Sequence, residues 1–417
     1  MEKQVYRNKE SNKLNRNNKY FILFLIYSLL PGIYKIVDNQ LMMLGSIPII
    51  FFLLYDNRKM IKYYKHDMLF LFLFFYILLQ TICWFFFPTT NKIGLAMGLY
   101  MNILPMLGYF IAKTIKFETF SKILLKVILV HCILGIILYL PFGITNKSIP
   151  IVNILTEGVA FGRMASVSGS LGFGNLLMIG FILSFFTDKR YLLLMSICLL
   201  FSLQRSAWLG GFFAIFLYLI YLIKQFEVTK IFSFSIILVF LFVSFIVISD
   251  KYINIDLSFA MSRFESINDA TSERKNQWEN GIENFLAYPL GVGSGQAGQF
   301  AARYNEAQSI FKAIPDGDYF RSLSEYGIMA AIFFIFVIIS YIISIISISF
   351  KSKKDIAIIA LIGGELIQMI GSNVSEFYFT NFIYWMIFGY YFTFIGNNYS
   401  LNLGNKKQND ICLHSNI

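Results

Sequence analysis

The sequence predicts an all-α polytopic membrane protein of about twelve transmembrane helices, with a long, partly helical extracytoplasmic loop between the ninth and tenth. Three observations carry this. The 417 residues are 57% hydrophobic and 14% charged, and the mean hydropathy of +0.63 leaves too little charge to cover a water-soluble globule. Apolar runs near the length that a bilayer requires, roughly 20 residues, recur along the chain. Lysine and arginine alternate between the loops as the positive-inside rule demands.

The runs fall near 20–36, 39–55, 68–87, 94–112, 123–142, 168–186, 191–203, 207–223, 231–249, 326–350, 356–371 and 377–396. Residues 1–19 and 397–417 form tails, nine spans occupy 20–249, a hydrophilic loop occupies 250–325 and three spans occupy 326–396. With the Lys-rich N-terminus in the cytoplasm, the seven cytoplasmic segments hold 23 of the 35 Lys and Arg, among them Arg58, Lys59, Lys62 and Lys65. The short outer loops keep only Lys35, Lys92, Lys147, Arg163 and Arg205. Both termini are therefore expected in the cytoplasm and the 250–325 loop outside.

The net charge of +11 reads as topology and not as a nucleic-acid footprint. Cys83, Cys132 and Cys198 lie in apolar runs and Cys412 in the tail, without CxxC spacing, so neither a disulfide framework nor a metal site is indicated. The basic N-terminus and first apolar run read as a retained helix, because more spans follow and no small-residue cleavage site is evident.

The outer loop holds most of the candidate chemistry. TSERKNQWENGIENFLA, 271–287, spaces Trp278, Ile282 and Phe285 as on one helix face, with Ser272 as the expected N-cap. PLGVGSGQAG sets Gly293, Gly295 and Gly298 in GxGxxG spacing. No strand precedes it, so it reads as a tight turn that lets backbone approach a ligand or another segment. PDGDYFRSLSEYGI, 315–328, brings Asp316, Asp318, Arg321 and Glu325 to the start of a helix. There an aspartate serves as a cap or as a catalytic base, and Glu325 lies one turn from Arg321 for an ion pair. No histidine lies in this loop, so either a carboxylate is the general base there or a substrate hydroxyl is activated in another way.

Outside it, Arg205 in SLQRSAWLGG lies where two apolar runs meet, either as a functional charge or as a snorkelling one. Arg274 and Lys275 open the loop helix, and Arg263 and Arg303 lie elsewhere in the loop. The planar guanidinium fork suits phosphate oxygens, so a boundary arginine and a loop arginine together form a pyrophosphate clamp; a solvated face is the other reading. Glu365 in GGELIQM is the acid deepest in an apolar run, where it bonds neighbouring helices or lines a cavity.

In this order, GSLGFGNLLMIGFIL, QRSAWLGG, SERKNQWENGIENFLAYPLGVGSG and DYFRSLSEYGIMAA resemble bacterial O-antigen ligases and the related O-antigen and capsular polysaccharide polymerases, over about 165–335. The resemblance implies a glycosyltransferase of the bacterial cytoplasmic membrane. Its donor is an undecaprenyl-pyrophosphate-linked oligosaccharide on the outer side, and it has no cofactor and no metal. Membrane lipid is a further partner, with a chain-length regulator and a flippase as candidate ones. By the same resemblance Arg205 and Arg274 match the arginines that hold the lipid pyrophosphate. The chemistry such a site needs adds Arg321 as a further candidate cation, Asp316 or Asp318 as the candidate acceptor of the attacking hydroxyl's proton, and Glu325, Trp278 and Tyr319 as supporting residues. Where the ligases begin the last motif with histidine, this chain has Asp316, which leans toward the polymerases. A ligase with another acceptor, and a flippase or transporter of lipid-linked oligosaccharide, are the alternatives; the transporter is disfavoured because charge gathers in one outer loop and not around a midplane site.

Overall fold

A computed structural model describes residues 2–37, 40–58, 61, 63–87, 92–145, 149–156, 163–225, 267–298, 314, 316–347 and 352–414. The protein is an all-α polytopic membrane protein. In chain order the helices are α1 (Glu2–Val37), α2 (Ser46–Asn57), α3 (Asp67–Phe85), α4 (Lys92–Gly98), α5 (Gly108–Ala112), α6 (Phe117–Thr145), α7 (Pro150–Thr156) and α8 (Ser170–Phe186). They continue with α9 (Leu192–Phe201), α10 (Arg205–Lys224), α11 (Ile267–Ala287), α12 (Asp318–Tyr326), α13 (Ile328–Ser347), α14 (Lys353–Gly371) and α15 (Tyr378–His414). A π-helical stretch, Leu99–Ile103, and a short piece, Leu104–Met106, join α4 to α5.

Among the described residues six helical stretches are long and apolar enough to cross a membrane: Arg16–Val37, Asp67–Phe85, Lys92–Ala112, Phe117–Pro141, Arg205–Ile223 and Ile328–Ile346. Ser46–Asp56 and Ser170–Phe186 are shorter apolar helices. The expected span at 231–249 lies outside the described residues. The run at 191–203 proves to be the ten-residue α9, about 15 Å long and too short to cross alone. The reason is that its C-terminal end breaks into the turn before Arg205.

Burial sorts the helices into layers. α8 is buried continuously from Gly172 to Phe186, and α14 from Ile356 to Leu366, so both are surrounded by protein. α3 and α13 instead turn Phe72, Phe75 and Leu79, and Ile335, Ile339 and Ile346, outward. Such wide apolar faces are stable when the surrounding solvent is hydrocarbon. Small residues let the inner helices approach closely: a methyl on Gly210 of α10 would lie 3.0 Å from the Gly364 carbonyl oxygen of α14.

A buried charge pins the other end of the outer layer. The Asp67 carboxylate, at the start of α3, accepts from Lys113 Nζ at 2.6 Å, from the Tyr109 hydroxyl and from the Tyr64 backbone N–H at 2.7 Å. Both members of the ion pair are 1% exposed, so neither charge is left to the bilayer alone.

The glycine-rich stretch takes the second of its two expected roles. Gly291, Gly293 and Gly295 all have positive φ, and the loop folds against α4, where a methyl on Gly295 would collide with the Gly94 carbonyl. Asn102 Nδ2 donates to Ser294 Oγ at 2.9 Å, and the Val292 and Gly293 N–H groups donate to the Ser324 and Glu325 carbonyls, both at 3.0 Å. Gly295→Ala is expected to cost about 1–3 kcal/mol through strain at φ +75°. The measurement is the Tm of the detergent-solubilised protein, and an unchanged Tm would show that this loop does not rest on α4.

Candidate functional site

α11 docks its Arg274, Gln277, Trp278 and Gly281 side onto the loop and helix that follow Ile314. Gln277 Oε1 accepts the Asp316 N–H at 3.0 Å, and the Trp278 ring stacks on Phe320 with centroids 5.2 Å apart at 14°. A Cβ on Gly281 would come within 2.8 Å of the Phe320 Cβ, which sets how closely the two helices pack. α11 begins at Ile267, so Ser272 lies inside the helix and is not its N-cap. The preceding Ile267, Asn268, Asp269 and Ala270 simply extend the helical turn. Arg263, Arg303 and Tyr304 lie outside the described residues.

α12 opens on Gly317, whose φ of +108° and contact with the Trp278 indole exclude a side chain there. No side chain caps this helix, so capping explains neither aspartate. Asp318 is instead the centre of a buried ion cluster. Its Oδ1 accepts from Arg321 Nη2 at 2.7 Å and Nε at 3.0 Å and from Ser375 Oγ at 2.7 Å; its Oδ2 accepts the Ser375 N–H at 2.9 Å. Arg321 Nη1 donates to Glu325 Oε2 at 2.5 Å, and Nη2 also reaches Ser375 Oγ. Glu325 Oε1 takes the Ala297 and Gly298 N–H groups at 3.2 and 3.3 Å.

This corrects two expectations. Arg321 is 1% exposed, its donors are engaged, and with two carboxylates around one guanidinium the cluster is net negative, the wrong sign for pyrophosphate. Asp318 has both oxygens occupied by hydrogen bonds from Arg321 and Ser375. Glu325 forms the expected i,i+4 pair, in a structural role. Tyr319 also turns inward, donating its hydroxyl to the Leu366 carbonyl at 2.8 Å and packing edge-on against Phe334.

Asp316 is placed differently. It is half-buried, and burial pushes its carboxyl above its ordinary pKa, while the nearby Arg274 and Arg163 guanidinium groups pull the other way. Arg274 rests beside Gly371 at the end of α14, 3.5 Å from where a Cβ would stand. Arg205 is the first residue of α10, reached through a turn in which Leu203 has φ +51°, the one non-glycine positive φ among the described residues. A bulky residue held there is strained, and strain of this kind collects at functional turns. A cation at a helix N-terminus adds to the positive end of the dipole, and the two together favour an anion.

Sequence reasoning missed Ser375 and Arg163. Ser375 was legible only as part of a polar break, SNVSEF, between the last two spans. Arg163 was visible as an outer-loop cation, with no sign of what it faces. Glu365 resolves as a helix-to-helix tie: Asn175 Nδ2 of α8 donates to its two oxygens at 3.2 and 3.0 Å and to Gln368 Oε1 at 3.0 Å, all three residues being fully buried.

Residues 191–335 match the family model described as O-antigen ligase. The matched stretch runs from just before α9 into α13 and contains Arg205, Arg274, Trp278, Asp316 and the Asp318, Arg321 and Glu325 members of the ion cluster, so the resemblance read from the motifs is borne out there. A search of curated proteins finds no match to the chain. The match, over 145 of the 417 residues, points toward the O-antigen ligase and polymerase kind of membrane protein. Arg163, Glu365 and Ser375 lie outside the matched residues.

The ion cluster makes a prediction of its own. Asp318→Asn or Arg321→Met, each stripping one partner from a buried pair, is expected to destabilise the protein by about 3–5 kcal/mol. The check is the amount of folded protein and its Tm, which should fall before any selective effect on chemistry is seen.

Proposed function

We propose that this protein is a polysaccharide polymerase, joining undecaprenyl-pyrophosphate-linked repeat units on the outer side of the bacterial cytoplasmic membrane into O-antigen, capsule or exopolysaccharide. The observation that carries the reading is the O-antigen ligase match over the stretch that holds Arg205, Arg274 and Asp316, where the Arg274 and Arg163 charges both act on the Asp316 carboxyl.

The transfer breaks the bond between the anomeric carbon of the growing chain and its pyrophosphate, and forms one from that carbon to a hydroxyl of the incoming unit. Charge develops on the departing pyrophosphate, where Arg205 and Arg274 supply fixed cations. The hydroxyl proton passes to Asp316, the one candidate carboxylate of the α12 region whose oxygens are not locked into the ion cluster. Burial helps here: a carboxyl with a raised pKa is a stronger base once ionised. The Arg321 cluster holds the loop in register beside the reaction.

A ligase remains the second reading because the matched family is described by that name. The two share the donor and differ in acceptor. Deleting the protein from its host separates them: loss of long chains with single attached units retained supports the polymerase, and loss of all attached glycan supports the ligase.

Arg205→Ala or Arg274→Ala is expected to lower chain growth by about 10²–10³-fold with membrane insertion intact. Normal chain length on a glycan gel would end the clamp idea. Asp316→Asn should abolish transfer without lowering Tm. The pH dependence follows from the raised carboxyl: Asp316 must be ionised to act, so activity falls as pH drops through its pKa. Removing a cation that favours the ionised form, as in Arg274→Gln, is expected to move the acid limb of the residual pH–rate profile to higher pH. A limb that stays in place would assign it to another group.

A further inference from the structure

We infer that Gln277 of α11 is a positioning residue for the transfer, its side-chain amide fixing the Asp316 backbone and so the direction in which that carboxylate meets the acceptor hydroxyl. The inference rests on the reading just given, in which Asp316 takes the hydroxyl proton.

The first observation is the bond itself. The Asp316 N–H donates to Gln277 Oε1 at 3.0 Å, across 39 residues of chain. A backbone N–H can only donate, so the amide oxygen must be the atom turned toward Asp316. Asp316 makes no other hydrogen bond or ion pair among the described residues, whereas Asp318, two residues on, is held by Arg321 and Ser375.

The second is what lies between them. Gly317 has φ +108°, and no side chain caps α12. A glycine has the widest choice of backbone angles, so the rigid start of α12 does not by itself set how the preceding peptide points. The ion cluster fixes where the helix begins; Gln277 fixes the peptide that carries the Asp316 side chain.

The third is that α11 has other contacts by which to dock. Trp278 stacks on Phe320, and Gly281, one turn on, admits the same residue closely. Lys275 and Glu279 instead pair with each other at 3.9 Å, with side chains 72% and 55% exposed. Ordering a half-buried glutamine costs side-chain entropy that one neutral hydrogen bond roughly cancels, so Gln277 adds little to stability. Geometry is where the bond has leverage, because a displacement of about 1 Å in a reacting group costs on the order of a hundredfold in rate. Arg274 lies one turn before Gln277, so a single helix sets the cation and the base in one frame.

The test uses the full-length protein in nanodiscs, with the undecaprenyl-pyrophosphate-linked repeat units that accumulate in a host lacking the protein as substrate. Gln277→Leu, which removes the acceptor oxygen but keeps the bulk, is expected to lower kcat about ten- to a hundredfold with KM within about twofold of wild type. Its Tm should fall by no more than about 4 °C. Gln277→Glu keeps an acceptor oxygen and should restore most of kcat. Its new negative charge disfavours the ionised form of Asp316, which the Arg274 and Arg163 charges favour, so the acid limb of its pH–rate profile should move to higher pH. A bond that only holds the fold would give neither the rescue nor the shift. Wild-type kcat in Gln277→Leu with Asp316→Asn inactive, or a Gln277→Glu protein no more active than Gln277→Leu, overturns the inference and leaves the proposed function standing. Asp316→Asn as active as wild type overturns both the inference and the role of Asp316 on which it rests. Should Gln277→Leu fail to fold, Gln277→Glu alone decides: a shifted acid limb supports the inference and an unshifted one overturns it.

Discussion

The Arg321 guanidinium, buried among Asp318, Glu325 and Ser375, is the interaction on which the α12 end of this molecule depends. It joins three pieces of chain: the first turn of α12, the glycine-rich loop through the backbone of Ala297 and Gly298, and the break between α14 and α15. An ion cluster of this kind adds little net stability over well-packed apolar residues, yet it is expensive to break because each member is stranded if its partner goes. Its effect is to specify position. The start of α12 is held in one place, and with it Asp316, two residues upstream.

That arrangement divides the polar residues of the outer region into two groups. One is neutralised and closed: Asp318, Arg321 and Glu325, together with the Asn175–Glu365–Gln368 tie between α8 and α14. The other is cationic: Arg274 on α11 and Arg163 before α8, whose charges both act on a half-buried Asp316, with Arg205 at the head of α10. The first group is the rigid support and the second is where an anion is favoured. The low dielectric of the bundle strengthens both, and for the same reason it penalises any charge left in neither.

Several relations were legible in the residues because they are local. The three-residue and four-residue spacings from Asp318 to Arg321 and from Arg321 to Glu325 put these side chains on one helix face, and the structure pairs them as the spacing allows. The amphipathic pattern around Trp278 gave α11, although its start lay several residues earlier than the supposed cap. The glycine spacing near residue 293 signalled a close backbone approach, and α4 proved to be what it approaches. What the residues did not reveal is that Arg321 would be consumed by its neighbours. That depends on Ser375, more than fifty residues away, and on the loop backbone folding back over Glu325.

The sequence by itself determined the fold class and the kind of solvent, because hydrophobicity and helical periodicity act over a few turns and need no distant partner. It also determined the family resemblance, through short motifs kept in order. Only the tertiary structure decided which of several similar charges are enclosed in the ion cluster and which lie outside it. Arg274 and Arg321 stand in the same hydrophilic stretch and read alike in one dimension. Arg321 is enclosed by two carboxylates, whereas Arg274 rests beside Gly371 and acts on the Asp316 carboxyl, because the field at each guanidinium is set by segments far away along the chain.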